Sequence, residues 1–356
     1  MGIQPALRCG LQFLGNAASG NRESQDCIWK HAFPSLFLNY LNHADEKASA
    51  YCSMVLYSCL DDQKLKDLQN NANGLNVALS AVRVCGKQPD LDWAIWIVTD
   101  YFLTSPELVE AIYSRMTSQE RIFFLELIIA KLGEKKCGTD AISANTDIPL
   151  KLVEFLAHCF QENCKAVLCF AADAAANENE EALVVVRLLD CLCEISSCHE
   201  KYECLQTQPG LLEDAIEILQ QTHLIGKLGG NVFSISHSPS RVEQVLHPAE
   251  GFKAHVIRLI GNLCYRNREN QDRIYLAFVS FNSLKLFNVF LNSYKVMNQW
   301  AVFAIRNLTE HNRENQEVIS KMDRLGLADT SFLRSMGLDV QEREGTLMLK
   351  SLKKGQ

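Results

Sequence analysis

The chain has 356 residues, of which 47% are hydrophobic, and it carries a formal net charge of -7 at pH 7. That acidic balance provides no long-range attraction to nucleic acid or to an anionic membrane. No apolar run approaches the roughly 20 residues that span a bilayer, so we expect neither a nucleic-acid partner nor membrane insertion. Abundant leucine and alanine with only eight prolines favour helix over sheet.

Fourteen cysteines are spread along the chain, and no two of them have CxxC spacing. Most lie in apolar helical stretches, where a free thiol behaves as a small buried hydrophobe. The N-terminal residues do not resemble a secretory signal. We therefore expect a reducing, cytoplasmic compartment.

Helical periodicity dominates the first two thirds of the chain. Residues 6–19 place Leu7, Leu11 and Leu14 in one stripe at helical spacing. Residues 93–103 are apolar nearly all round, which is typical of a helix packed on both sides. Six further stretches are predicted to be helical: residues 33–42, 47–60, 118–131, 148–172, 180–195 and 211–222.

Three polar or glycine-containing breaks separate the helical stretches, at residues 133–146, 173–181 and 226–251. The longest break, 226–251, is predicted to be a flexible loop that carries regulation. Within it, Ser238 precedes Pro239 and resembles a site for a proline-directed kinase. Ser238 is therefore a candidate phosphorylation site, and an unmodified loop serine is the alternative.

The C-terminal segment differs from the rest of the chain. Between residues 338 and 349, two short apolar ends flank a charged turn that closes at Gly345. This pattern predicts a small hairpin that caps the helical stack, with a frayed tail as the alternative.

Three stretches repeat one pattern in register: residues 14–28, 260–274 and 305–319. In each, an apolar residue is followed by Asn two positions on, a second Asn, Arg-Glu, Gln, an acid and Ile. Asn262 and Asn307 are 45 residues apart. A period in the forties in an all-helical chain predicts armadillo or HEAT repeats, which form solenoids.

The second asparagine of each copy is predicted to start a new helix. Asn21, Asn267 and Asn312 are each followed by an acid in the first turn, where the helix dipole favours it. The repeated pattern therefore indicates a helix end, a tight turn and a helix start. The same logic predicts Ser105 as the N-cap of a helix that begins at Pro106.

The first asparagine of each copy, at Asn16, Asn262 and Asn307, allows two interpretations. In one, it closes the helix and bonds neighbouring backbone. In the other, the three amides form a ladder that grips an extended peptide by its main chain. The candidate partner-binding residues are Asn16, Arg258, Asn262, Phe303, Arg306 and Asn307.

The repeated pattern resembles the armadillo repeat, in which a third helix ends in Asn-Leu and the next repeat begins Asn-x-x-Asn-Gln-x-x-Ile. Armadillo nuclear-import receptors carry a Trp four residues before the ladder Asn, where this chain has Gln12, Arg258 and Phe303. Binding of import signals in that manner is therefore not expected. A peptide-binding transport adaptor of another kind remains an alternative function.

Longer stretches resemble the ataxin-10 family. They are residues 8–16, 31–34, 105–109, 251–265 and 304–310. The resemblance covers nearly the whole chain except 275–298, which departs from the armadillo pattern. It implies an all-α, right-handed armadillo-like solenoid that acts as a non-catalytic interaction scaffold.

The family resemblance also implies cellular roles. They are neuron survival, neurite growth and cytokinesis, in the cytoplasm and perinuclear region and at the centrosome or midbody. The implied partners are O-linked N-acetylglucosamine transferase and a heterotrimeric G-protein β subunit.

Members of that family are longer at the N-terminus, so this chain is expected to begin in the middle of a repeat. The helix at 6–19 would then be a third armadillo helix, with Leu7, Leu11 and Leu14 exposed at an open end. That end would allow self-association. The expected organisation is a solenoid over 1–225, the loop 226–251, further repeats over 252–335, and a cap or tail over 336–356.

No motif of a hydrolase, nucleotide-binding or zinc-protease family occurs in the sequence. We therefore expect neither an enzyme nor a cofactor. The nearest candidate metal cluster is Cys191, Cys193, Cys198, His199 and Cys204, which lacks familiar zinc spacing. A metal-dependent activity at this cluster is the less favoured alternative.

Overall fold

The computed structural model describes residues 3–134, 147–171, 179–227, 232–233, 249–280, 298–320, 338–343 and 346–351. The chain forms two compact units, Met1–Asn312 and Arg313–Gln356. The described elements of the first unit are all helical, which confirms the predicted all-α fold.

Most helices of the first unit begin and end within a few residues of the predicted stretches. In chain order they are α1 (Ile3–Ala18), α2 (Arg22–Ala32), α3 (Ser35–Tyr40), α4 (Glu46–Cys59), α5 (Asp62–Asn70), α6 (Ala72–Lys87), α7 (Asp92–Trp96), α8 (Pro106–Tyr113), α9 (Ser118–Glu134), α10 (Leu150–Asn163), α11 (Glu180–Ser196), α12 (Cys204–Thr207), α13 (Leu211–Lys227), α14 (Phe252–Leu263), α15 (Arg268–Ser280) and α16 (Asn298–Thr309). A 3-10 helix, Cys164–Ala171, follows α10.

The third helices of successive repeats form one continuous layer. In this layer α1 packs on α4, α4 on α7, α9 on α11, α11 on α14, and α14 on α16. A π-helical turn, Ile97–Tyr101, follows α7 along the chain and packs against α9. Each helix buries apolar side chains against its neighbours, so the core runs along the stack. This solenoid-like arrangement confirms the prediction from the repeated pattern.

The repeated pattern is the junction between one repeat and the next, as predicted. Gly20, Arg266 and His311 each lie four residues after the first asparagine, and each has a left-handed φ between 52° and 67°. Asn21 then caps α2, its side chain accepting a hydrogen bond from the Ser24 N–H at 3.0 Å. The positive φ turns the chain sharply enough for a new helix to start immediately.

The glutamine of the pattern closes the preceding helix. Gln25 Nε2 donates to the Ala18 carbonyl at 2.9 Å, and Gln271 Nε2 donates to the Cys264 carbonyl at 3.2 Å. These bonds satisfy carbonyls at the end of a third helix, which have no partner within the helix itself. The conformation of the junction thus depends on glutamine as well as asparagine.

The segment 93–103 differs from the single helix that its apolar pattern predicts. It continues from α7 into the π-helical turn and then into a 3-10 turn, Phe102–Thr104. Ile97 and Val98 are fully buried, but Trp96 is 39% exposed. The prediction of a helix packed on both sides is therefore wrong at Trp96.

Two expectations from the sequence, the exposure of Leu11 and the capping role of Ser105, need correction. Leu11, expected at an exposed apolar end, is only 2% exposed because α1 packs on α4, and Phe13 is instead 70% exposed. Leu7 and Leu14 are half-buried. Ser105 does precede a helix that begins at Pro106, but its side chain makes no capping hydrogen bond.

The second unit contains a short helix, α17 (Arg313–Ser320), and a two-stranded antiparallel sheet. Strand β1 (Leu338–Arg343) pairs with β2 (Thr346–Ser351). The register places Val340 opposite Leu349. The predicted hairpin is therefore present rather than the frayed tail.

Several predictions fall wholly or partly outside the described residues. Ser238 lies outside them, as do most of the loop 226–251 and residues 281–297 of the atypical segment 275–298. At the ends of the loop, Phe233 and Ala249 are fully buried, and the Phe233 ring lies 6.2 Å from that of Phe252. No helix in the described ranges is long and apolar enough to cross a membrane.

Candidate functional site

A groove crosses the layer of third helices between α9 and α14. It has a volume of about 450 Å³ and is open to solvent. We call it the third-helix groove. It is lined by Glu126, Ile129 and Ala130 of α9, Arg187, Asp190 and Glu194 of α11, and His255 and Arg258 of α14.

Charged side chains link the three helices across the groove. Arg187 Nε donates to Glu126 Oε1 at 3.1 Å, and Arg187 Nη1 donates to Asp190 Oδ2 at 3.0 Å. His255 Nδ1 lies 2.6 Å from Asp190 Oδ1. The groove therefore presents alternating acidic and basic groups that are held in place by one another, which suits polar recognition of a peptide.

Arg258 is held in place by an acidic side chain and an aromatic ring. Its Nη1 donates to Glu194 Oε1 at 2.8 Å, and its guanidinium lies 4.8 Å from the centroid of the Trp300 ring on α16. Phe303 packs edge-on against Trp300, with 5.9 Å between ring centroids. The structure thus brings Arg258 and Phe303 together around Trp300, at the α16 side of the groove.

The asparagines of the ladder are placed differently from one another. Asn262 is 2% exposed, and its Nδ2 donates to Ser196 Oγ at 2.9 Å and to the Cys193 carbonyl at 3.3 Å. Asn307 is 3% exposed, and its Nδ2 donates to the Gly261 carbonyl at 2.9 Å. Asn16 is exposed. In two of the three cases the amide thus bonds the preceding third helix, which favours the structural interpretation.

Arg306 is exposed on α16, one residue before the buried Asn307. Partner binding by any of the six candidate residues stays a prediction. The geometry makes Arg258 the residue of choice for testing it, because Arg258 lines the groove and carries a charge.

The cysteine and histidine cluster does not form a common site. Cys191 and Cys193 are fully buried, whereas Cys198 is exposed. The His199 ring stacks on Tyr265 at 4.3 Å. In the part of the chain that the structure describes, no three His, Cys, Asp or Glu side chains converge as metal ligands.

Cys193, His255 and Asp190 are close together, as a nucleophile, base and acid would be, but their geometry differs from a catalytic triad. The Cys193 thiol donates to the main-chain carbonyl of His255 at 3.2 Å and not to its imidazole. Burial raises the pKa of the Cys193 thiol, which disfavours the reactive thiolate. Cys191 is similar, since burial raises the pKa of its thiol and it contacts the Leu125 carbonyl.

Sequence reasoning missed most of the groove-lining residues. The available signal was charge within otherwise apolar third helices: Asp190 and Glu194 are one turn apart on α11, and His255 and Arg258 are one turn apart on α14. Charged residues at helical spacing on a buried helix indicate the strip that faces solvent. The pairing across helices could not be read from the sequence, because the registers between repeats are unknown without the fold.

Comparison with known proteins finds relatives that match nearly the whole chain. An Ataxin-10 of Xenopus tropicalis is 51% identical over 355 residues, which covers 98% of this chain and 71% of the relative. The human Ataxin-10 is 42% identical over 354 residues, covering 97% of this chain and 71% of the relative. The chain belongs to the ataxin-10 family.

Two further matches concern parts of this ataxin-10 family chain. Residues 252–350 match the family model described as the spinocerebellar ataxia type 10 protein domain. An Ataxin-10 homolog of Dictyostelium discoideum is 38% identical over 112 residues, covering 30% of this chain and 17% of the relative. The matched range 252–350 includes Arg258, Trp300 and Phe303, so the α16 side of the groove lies in the region that the family model describes.

Proposed function

We propose that this chain is a non-catalytic interaction scaffold of ataxin-10 type, which binds an extended segment of a partner protein along the third-helix groove. The observation that carries the proposal is the position of Arg258, which lines the groove while bonded to Glu194 and stacked on Trp300. Arginines and tryptophans that are held rigidly at a surface lose little entropy on binding, and they dominate the energetics of many interfaces.

The pairing of charges in the groove further supports the binding of an extended peptide there. The acidic and basic groups of the groove are paired with one another across the three helices. An extended peptide offers main-chain N–H and C=O groups, together with side chains of either sign. Such a segment can exchange hydrogen bonds with the paired charges without leaving any of them unpaired.

Replacing Arg258 tests the proposal. Arg258→Gln keeps much of the side-chain length but removes the charge, so it loses the ion pair with Glu194 and the cation–π contact with Trp300. We expect partner capture to fall by about thirty-fold, which corresponds to the loss of about 2 kcal/mol that defines an interface hot spot. The measurement is capture of purified O-linked N-acetylglucosamine transferase and, separately, a G-protein β subunit by the immobilised chain.

The matched control is Arg273→Gln on α15, where Arg273 pairs with Glu269 outside the groove lining. We expect this variant to capture both partners like the parent chain. Thermal unfolding must show that both variants are folded. Equal capture by the two variants would place the binding surface outside the groove and overturn the proposal.

A peptide-binding transport adaptor is the alternative function, and the same groove would serve it. The two functions differ in what the groove recognises. An adaptor binds short linear cargo peptides on their own, whereas the proposed scaffold binds an extended segment together with the folded partner that carries it, so that the isolated segment binds weakly. Tiling each partner as peptides across the immobilised chain separates the two.

The cellular roles and locations of the chain are proposed from family membership alone. They are neuron survival, neurite growth signalling and cytokinesis, with the protein in the cytoplasm, near the nucleus and at the centrosome or midbody. Self-association through α1 is a further proposal, supported by the 70% exposure of Phe13. Imaging of the tagged chain through cell division tests the location, since absence from the midbody would contradict a role there.

A further inference from the structure

Four aromatic side chains of α4, α7 and the π-helical turn form a cluster in the third-helix layer. We call it the aromatic patch, and it consists of Tyr57, Trp93, Trp96 and Tyr101. The Tyr57 ring is central, with its centroid 5.5 Å from Trp93, 5.8 Å from Trp96 and 5.4 Å from Tyr101. None of the four is fully buried, and Trp96 is 39% exposed. The cluster therefore presents aromatic surface to solvent.

The π-helical turn gives the aromatic patch an unusual backbone. Ile97 and Val98 anchor the turn in the core. The Thr99 carbonyl accepts a hydrogen bond from Lys131 Nζ of α9. π-helical turns are rare, and they are often retained where they arrange a functional site. Here the turn carries a carboxylate, Asp100, within hydrogen-bonding reach of the Tyr57 hydroxyl of the aromatic patch.

Asp100 gives the aromatic patch a negatively charged edge. Its side chain is 45% exposed. Oδ1 accepts from Thr99 Oγ1 at 3.1 Å and lies 3.5 Å from Lys131 Nζ, whereas the bond from the Tyr57 hydroxyl to Oδ2 is long, at 3.4 Å. A carboxylate oxygen with one weak bond can accept a strong bond from a cation. The face of an exposed indole attracts a cation as well.

The protein itself shows which cation suits this combination. Further along the layer, Arg258 stacks on Trp300 at 4.8 Å and bonds Glu194 at 2.8 Å. The aromatic patch has the corresponding indole and carboxylate, at Trp96 and Asp100. Among the described residues, cation–π contacts occur at other rings and not on the four rings of the patch.

We propose that the aromatic patch binds an arginine side chain of a partner protein, with the guanidinium stacked on Trp96 and hydrogen-bonded to Asp100. A planar guanidinium can stack and donate in its own plane at the same time, which an ammonium cannot do. The patch adjoins α9, which also lines the third-helix groove. Arginine binding at the patch nevertheless requires nothing of the groove and stands independently of it.

Fluorine NMR of the full chain labelled with fluorotryptophan tests this site, because the chain has only four tryptophans. The probe is an acetylated, amidated Gly-Gly-Arg-Gly-Gly peptide, with lysine and citrulline versions for comparison. We expect the arginine peptide to shift the Trp96 resonance saturably, with a dissociation constant of about 1 mM. The lysine and citrulline peptides should bind at least about five-fold more weakly.

The other indoles serve as internal controls. Trp29 is 7% exposed and bonded to Asp67, so its resonance should not move, and a shift at Trp300 alone would report binding at the groove. Asp100→Asn should weaken binding about five-fold, while Asp90→Asn, the same change at a nearby exposed residue, should not. A Trp96 resonance that fails to move, or that responds equally to arginine and citrulline, would overturn the proposal.

Discussion

The ladder asparagine ties its own third helix to the third helix before it. Asn262 bonds the end of α11, and Asn307 bonds α14 at the Gly261 carbonyl. Asn16 is exposed and has no equivalent tie within the described residues. The same position of the repeated pattern is therefore buried in the second and third copies and exposed in the first. Substitutions at Asn262 and Asn16 should consequently differ in their effect on stability.

We expect Asn262→Ala to lower the free energy of unfolding by about 1–3 kcal/mol, because it leaves the Cys193 carbonyl and the Ser196 hydroxyl without this donor in a buried site. Asn16→Ala is the matched control and should change it by no more than about 0.5 kcal/mol. Urea unfolding followed by circular dichroism measures both. If the two variants were equally stable, the asparagine of the second copy would not be a structural tie.

At the scale of helices, glycine marks where two backbones come closest. A Cβ on Gly74, in the first turn of α6, would lie 2.6 Å from the Leu68 carbonyl oxygen and 2.7 Å from that of Asp67, both on α5. Those atoms are backbone and cannot rotate away. Gly10, in the exposed face of α1, has nothing within 4 Å of the same position.

Gly74→Ala should therefore destabilise the chain by about 1–3 kcal/mol, since α5 and α6 must separate to admit the methyl group. Gly10→Ala should stabilise it by about 0.5–1 kcal/mol, because alanine loses less backbone entropy in a helix. The shift in the urea midpoint gives both values. Shifts of the same sign would show that helix propensity, rather than the close approach at Gly74, decides the outcome.

The sequence predicts helices well where one stripe is apolar and a cap residue precedes it, as at α2 behind Asn21. It fails at 93–103, because an apolar run cannot reveal whether its hydrogen bonds shift to the π-helical pattern. It also fails to identify the groove, whose ion pairs between helices join residues more than sixty positions apart, such as Arg258 and Glu194. Such pairs depend on how repeats are stacked, and the repeated pattern specifies only the junctions.

In the N-terminal part of the first unit, ion pairs between neighbouring repeats join residues 37 or 38 positions apart. Arg8 bonds Asp45, 37 residues on, and Lys64 bonds Asp26, 38 residues before it. The bond from Arg8 holds the pKa of Asp45 below its usual range, and the bond from Lys64 does the same for Asp26. Each bond joins two neighbouring repeats, and the stability of a solenoid is approximately a sum of such repeat and interface contributions.

The stability of the chain should consequently fall in acid. A carboxyl whose pKa is lowered in the folded state contributes stability above its unfolded pKa of about 4, and this is lost as the pH falls through the lower folded value. We expect the urea midpoint to decline between about pH 5 and pH 3, and Asp26→Asn to flatten that decline, because the amide has no proton to gain. Glu110→Gln, at an exposed position near the end of α8, should leave the slope as in the parent chain. Parallel acid profiles for Asp26→Asn and the parent chain would mean that the bond to Lys64 contributes nothing to the stack.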